Sequence, residues 1–150
     1  MKKIGPVFLL IIATSIAIAQ TSLPDEKTAI STLRTFYTDY MSEFSTASGG
    51  KQFEDRLSEL RSKYCTAKCK KQYKKLIEGT DSDPIIKGQD SDAKFAKTLS
   101  IKRDLKKSNV YDVSYFYYAP GKDGKSHKES VTIKLHVTRE NGNFKIDEFL

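Results

Sequence analysis

The sequence predicts an α+β domain, with N-terminal helices packed on one face of a curved, mostly antiparallel C-terminal sheet of about four strands. Three observations predict it. Val131, Ile133, Leu135 and Val137 alternate strictly with Thr132, Lys134, His136 and Thr138, the period-two pattern of a half-buried strand. Asn141-Gly142 follows, a pair that tolerates positive φ at both centres of a type I′ hairpin, and the chain resumes with Phe144 and Ile146 on one face. Upstream of the sheet, apolar residues recur every three or four positions, the helical period.

The chain opens as a signal peptide, residues 1–19. Lys2 and Lys3 precede an apolar core over 7–18, and Ala17-Ile18-Ala19 fits the small-x-small cleavage pattern. A transmembrane anchor is the competing reading, but the apolar run is short for a span and no basic stop-transfer cluster follows it directly. No cysteine sits at the cleavage point to carry a lipid. Cleavage after Ala19 removes 19 residues from 150 and leaves 131, residues 20–150, enough for one domain with a real core. The expected compartment is the periplasm or the medium, with no stable membrane anchor after cleavage.

Loss of the two signal lysines lowers the net charge from +7 to +5. In an exported protein that excess does not point to nucleic acid. It suits anionic headgroups or acidic glycans, although solubility alone accounts for it.

Residues 24–45 read as a strong amphipathic helix with Ala29, Ile30, Leu33, Phe36, Tyr37, Tyr40, Met41 and Phe44 on its inner stripe. Pro24 suits the first turn, and Asp25 and Glu26 complement the positive end of the helix dipole. Small residues over 45–50 break it. A second helix is expected over 51–64, burying Phe53, Leu57, Leu60 and Tyr64. A third, capped by Thr66, runs through Glu78 to a terminator at Gly79, with Cys69, Tyr73, Leu76 and Ile77 inward. One continuous helix across Cys65-Thr66 also fits the pattern. Lys68, Lys70, Lys71, Lys74 and Lys75 form either a basic ridge for an anionic partner or, more simply, a solvated helix face.

Cys65 and Cys69 are the only cysteines. Export permits a disulfide between them, and helical spacing would set their Cα atoms about 6 Å apart, near the edge of the allowed range. Reduced thiols are the alternative. Two thiols without a neighbouring His make a poor metal site, and redox pairs more often read Cys-x-x-Cys.

Residues 80–92 form an unusual loop, in which Asp81, Asp83, Asp90 and Asp92 invite a calcium reading. The spacing argues against it: an EF-hand loop begun at Asp81 needs Gly at its sixth position and Glu at its twelfth, and finds Ile86 and Asp92. The carboxylates suit turns and caps, with Asp92 capping a short helix over 93–97, while Ile85 and Ile86 pin the loop to the body. Strands are expected over 99–105 and 110–118, with a polar hairpin loop over 119–128. In the second strand Tyr111, Val113, Tyr115 and Tyr117 share one face, and Asp112, Ser114, Phe116 and Tyr118 the other.

The order of features, with Tyr64-Cys65-Thr66, Asp81-Ser-Asp-Pro84 and Gln89-Asp90, resembles a family of small secreted bacterial proteins of unknown function. That family is similar in fold to the nuclear transport factor two-like (cystatin-like) superfamily, cone-shaped α+β domains whose curved sheet wraps a long helix. The resemblance covers nearly all of the chain after the signal; Cys69 and the long lysine run fall outside its pattern. It implies a pocket between sheet and helices and implies no activity, because the fold hosts enzymes, binders and dimerisation modules alike. Superfamily enzymes similar to ketosteroid isomerases need an Asp and a Tyr meeting inside the cone, and no motif here brings Asp112 to a tyrosine.

The expected function is a noncatalytic exported binding or interaction module. Its partner is a small molecule or another exported protein, and it works as a monomer or homodimer. Tyr111, Tyr115, Tyr117, Asp81, Asp83 and Asp90 are the candidate ligand or partner surface, since Tyr offers an apolar body with a polar tip. The alternatives are an immunity or inhibitor protein and a small enzyme using the cone pocket. No catalytic set, metal set or cofactor is assigned: Gly-x-Ser-x-Gly, His-Glu-x-x-His and a phosphate-cradling Gly loop do not occur. His127 and His136 are expected to face solvent.

Overall fold

The computed structural model describes residues 23–46, 50–122 and 124–150; the expected signal peptide lies outside them. Helix α1 (Leu23–Thr46) is the 24-residue stem of the fold. Its stripe of Ala29, Leu33, Phe36, Tyr37, Tyr40 and Met41 is buried, as its spacing predicts. Phe36 sits at the centre of an aromatic cluster, 5.3 Å from both the Tyr37 and Tyr64 rings, in the edge-on and tilted geometries that ring quadrupoles favour.

Helices α2 (Lys51–Tyr64) and α3 (Ala67–Thr80) are separate. Cys65 turns to extended backbone and bridges Ile146, and the Thr66 N–H donates to the Ile146 carbonyl at 2.9 Å. The chain touches the sheet here, and a continuous helix could not present that N–H. Thr66 then caps α3 by accepting the Cys69 N–H at 3.2 Å. The terminator differs from the expected one. Helix α3 runs through Gly79 to Thr80, and Asp81 takes the left-handed conformation, φ 49°, that the sequence reading gave to glycine. A short helix, α4 (Ala93–Ala96), follows, its first turn capped by Asp92, which accepts the Lys94 N–H at 2.7 Å.

Strands β1 (Ser100–Arg103), β2 (Val110–Pro120), β3 (Ser126–Glu140) and β4 (Asn143–Phe149) form an antiparallel meander in the order β1-β2-β3-β4. The β2–β3 ribbon is longer than expected, and the loop correspondingly shorter, because cross-strand contacts carry pairing past residue 118. The Tyr117 hydroxyl donates to Glu129 at 2.7 Å, and the Lys128 ammonium lies 3.6 Å from the Phe116 ring centroid. At the far hairpin Asn141 and Gly142 adopt φ 51° and 80°, the expected type I′ turn. One irregularity was not foreseen. His136 pairs with Glu148 while Val137 pairs with Ile146, so Asp147 is the extra residue of a β-bulge.

The core lies between the α1 stripe and the sheet face carrying Tyr111, Val113, Tyr115, Ile133, Leu135, Val137 and Ile146. Ile85 and Ile86 enter it fully buried, pinning the acidic loop as expected.

Candidate functional site

The interior of the fold holds a polar cluster. Tyr40 and Tyr73 both donate to Asp83 Oδ2, at 2.6 and 3.2 Å, while the Ile85 N–H donates to Oδ1 at 2.7 Å. Arg61 Nη1 donates to both tyrosine hydroxyls, at 2.9 and 3.2 Å, with its guanidinium 4.4 Å from the Tyr73 ring centroid. Burial pushes the Asp83 carboxyl up from its usual value, against the pull of these hydrogen bonds and of Arg61. Burial likewise raises the Tyr73 phenol to about 12. An Asp and two tyrosines therefore do meet inside the fold, but through Asp83. Their hydrogen-bonding capacity is spent on one another, which makes the cluster a clamp between α1, α2, α3 and the 81–88 loop.

This corrects one expectation. Asp83 is not a surface residue: the descent of Ile85 and Ile86 into the core draws it inside. Asp81 and Asp90 stay exposed and do not converge with it; Asp81 ends α3, and Asp90 accepts the Ser91 N–H at 2.7 Å.

The three candidate tyrosines separate as well. Tyr115 is buried, stacked 5.9 Å from Phe95, and its hydroxyl donates to the Ile86 carbonyl at 2.5 Å. Tyr117 spends its hydroxyl on Glu129. Tyr111 lines a cavity. His136 is partly exposed, with Nδ1 3.4 Å from Asp147. Cys65 and Cys69 are both buried and unbridged. The Cys69 thiol is pushed up first by its hydrogen bond with Cys65 and then by burial, the reverse of an activated nucleophile. Among the described residues no group of three His, Cys, Asp or Glu side chains is placed to hold a metal.

The cavity at Tyr111 is the candidate site. It measures about 220 Å³ and lies where the start of α1 meets the end of the sheet. The sheet forms the floor: Arg103 on β1 pairs with Tyr111 on β2, Val137 and Thr138 lie on β3, and Arg139 pairs with Phe144 across the last hairpin. Helix α1 forms the roof with Asp25 and Glu26. Two ion pairs span the gap, Glu26 to Arg103 at 3.4 Å and Asp25 to Arg139 at 2.7 Å. Arg139 also lies 4.7 Å from the Phe144 ring centroid. Among the described residues, the Tyr111 and Thr138 hydroxyls and the Asn109 side chain make no hydrogen bond within the protein.

Sequence reasoning found Tyr111 but missed the four charges. Asp25 and Glu26 read as dipole partners of α1, and their arginines lie 114 and 77 residues away. A second cleft, about 360 Å³ and largely apolar, is lined by Leu76, Pro84, Ile133, Phe149 and Leu150 between α3 and the sheet.

No family model matches the chain, and no curated protein does. The fold is similar to the 2.10 Å crystal structure of a protein of unknown function from Bacteroides thetaiotaomicron VPI-5482. The TM-score is 0.72 at 31% identity, over 83% of this chain and 90% of that one.

Proposed function

The chain belongs to one family with that Bacteroides protein of unknown function, and we propose that it is an exported, noncatalytic binding module of the nuclear transport factor two-like kind. One observation carries the reading. The space between α1 and the sheet is filled by side chains whose polar groups mostly bind one another, whereas the Tyr111 cleft keeps open hydrogen-bonding groups beside an apolar floor. Concave sites of that composition, mostly apolar with a few convergent polar groups, are where small molecules bind. The buried Asp83 cluster argues against catalysis in the interior, because a carboxylate holding three donors in a closed core has no room for a substrate.

The export half of the reading rests on the sequence pattern over 1–19 and is checked by N-terminal sequencing of protein made in a host with an export pathway. A mature start at Gln20 supports it, and an intact Met1 sinks it. The binding half is checked by native mass spectrometry of gently purified protein. A stoichiometric small molecule that is lost on Tyr111→Ala supports it; a bare polypeptide mass from every preparation counts against it.

A further inference from the structure

Resting on that binding reading, we propose that the Tyr111 cleft takes a small zwitterion of the α-amino-acid kind, with its apolar side chain on Tyr111, Val137 and Phe144.

The argument begins with how the charges are segregated. Both carboxylates, Asp25 and Glu26, stand on the helix side of the cleft, and both guanidiniums, Arg103 and Arg139, on the sheet side. The lining is balanced in sign and dipolar across the gap. A simple anion would gain the arginines but face two carboxylates, and a simple cation would meet the reverse. A ligand carrying both charges satisfies both walls when its ammonium turns to α1 and its carboxylate to the sheet. It can also open one of the two ion pairs without stranding a charge, since the Arg and the acid of that pair each exchange one oppositely charged partner for another. The pairs are open enough to exchange: Arg139 and Asp25 are 52% and 47% exposed, and Arg103 and Glu26 are 28% and 35% exposed.

Size and surface narrow the class. A volume of about 220 Å³ falls below the roughly 300–1,000 Å³ of drug-sized sites, so the occupant is a small metabolite. The floor between the arginines is apolar and aromatic, with Val137 and Tyr111 nearly fully buried, which suits a hydrocarbon or ring. The unspent hydroxyl of Tyr111 and the Asn109 amide add donors for the carboxylate. The competing role for these charges is a latch that only ties the start of α1 to the sheet.

The experiment titrates unmodified protein with three probes by calorimetry and ligand-observed NMR. They are L-phenylalanine, N-acetyl-L-phenylalanine, which keeps only the negative charge, and L-phenylalaninamide, which keeps only the positive. The zwitterion is expected to bind roughly tenfold tighter than either blocked form, and Arg103→Gln and Asp25→Asn each to weaken it by about the same factor. Comparing the blocked forms needs no variant, so a poorly folding mutant does not obscure the answer. Equal affinity for L-phenylalanine and its acetyl form overturns the proposal, as does affinity untouched by both substitutions. If no probe binds while another small molecule co-purifies, the zwitterion class falls and the binding module stands. If nothing binds and nothing co-purifies, both fall and the charges are a latch.

Discussion

The Tyr40 hydroxyl donates to the Asp83 carboxylate at 2.6 Å across 43 residues of chain, while one turn earlier on α1 the buried Tyr37 hydroxyl has no partner among the described residues. The same substitution at the two positions should therefore act in opposite directions. Tyr40→Phe removes a donor from a buried carboxylate and should cost about 1–3 kcal/mol. Tyr37→Phe deletes an unsatisfied polar atom from the core and should be neutral or stabilise by up to about 1 kcal/mol. Guanidinium denaturation of the two variants beside the parent measures both. A comparable loss at both positions would mean that the Tyr37 hydroxyl is hydrogen-bonded in solution.

The acid side of the stability profile should separate two carboxylates. Burial raises Asp83, so its favourable contribution is complete below the unfolded value of about 3.9 and is lost as pH climbs through the raised folded value. The stability of the parent relative to Asp83→Asn should thus shrink as pH rises. Asp147 behaves the other way. Burial works to raise it but is outweighed by hydrogen bonds from Thr66 and Lys68, the Lys68 charge and His136, and its carboxyl ends below the usual value. Its contribution is present above about pH 3.9 and is lost as pH falls through the lowered value, so the gap to Asp147→Asn should shrink toward acid. Urea midpoints of the three proteins between pH 3 and 7 decide this, and two parallel curves would refute the assignment.

What the sequence showed and what it hid divides along range. The alternation over Val131–Val137, the Asn141-Gly142 turn, the α1 stripe and the Thr66 cap are local patterns, and each stands in the structure where its period or residue chemistry put it. Asp83 was misplaced because an Asp in a polar loop looks like a turn former whether it faces water or the Arg61–Tyr40–Tyr73 cluster. The partners that decide the matter come from three helices, α1, α2 and α3. The bulge at Asp147 has no period to announce it; it follows from β4 serving both His136 and the Thr66–Lys68 turn. The Tyr111 cleft was half legible. Tyr111 stands out on its own strand, but Val137 and Phe144 come from the next two, and the four charges meet only after the meander closes against α1.

Cys65 and Cys69 should be inert in the native state. Both side chains are buried out of a reagent's reach, and the Cys69 thiol is held up by its bond with Cys65 and by burial, so little Cys69 thiolate forms near neutral pH. A thiol reagent added to reduced native protein should react slowly and should titrate both groups at once on unfolding. Rapid labelling of folded protein would show that the Cys65–Thr66 junction opens readily. Absence of both thiols in unreduced, unfolded protein would show that the pair has been oxidised to a disulfide.

Two glycines with open space around them should respond oppositely to alanine. A Cβ at Gly142 meets nothing within 4 Å, yet the residue sits at φ 80° in the hairpin turn. Gly142→Ala therefore carries only the left-handed backbone penalty, about 1–2 kcal/mol. Gly79 also has nothing within 4 Å, but it lies inside α3, whose terminator is Asp81. There alanine lowers the entropy lost on folding, and Gly79→Ala should stabilise by about 0.5 kcal/mol. Thermal melts of both variants test the placement of the helix end directly. If Gly79→Ala is instead the damaging change, α3 stops at the glycine and Asp81 does not cap it.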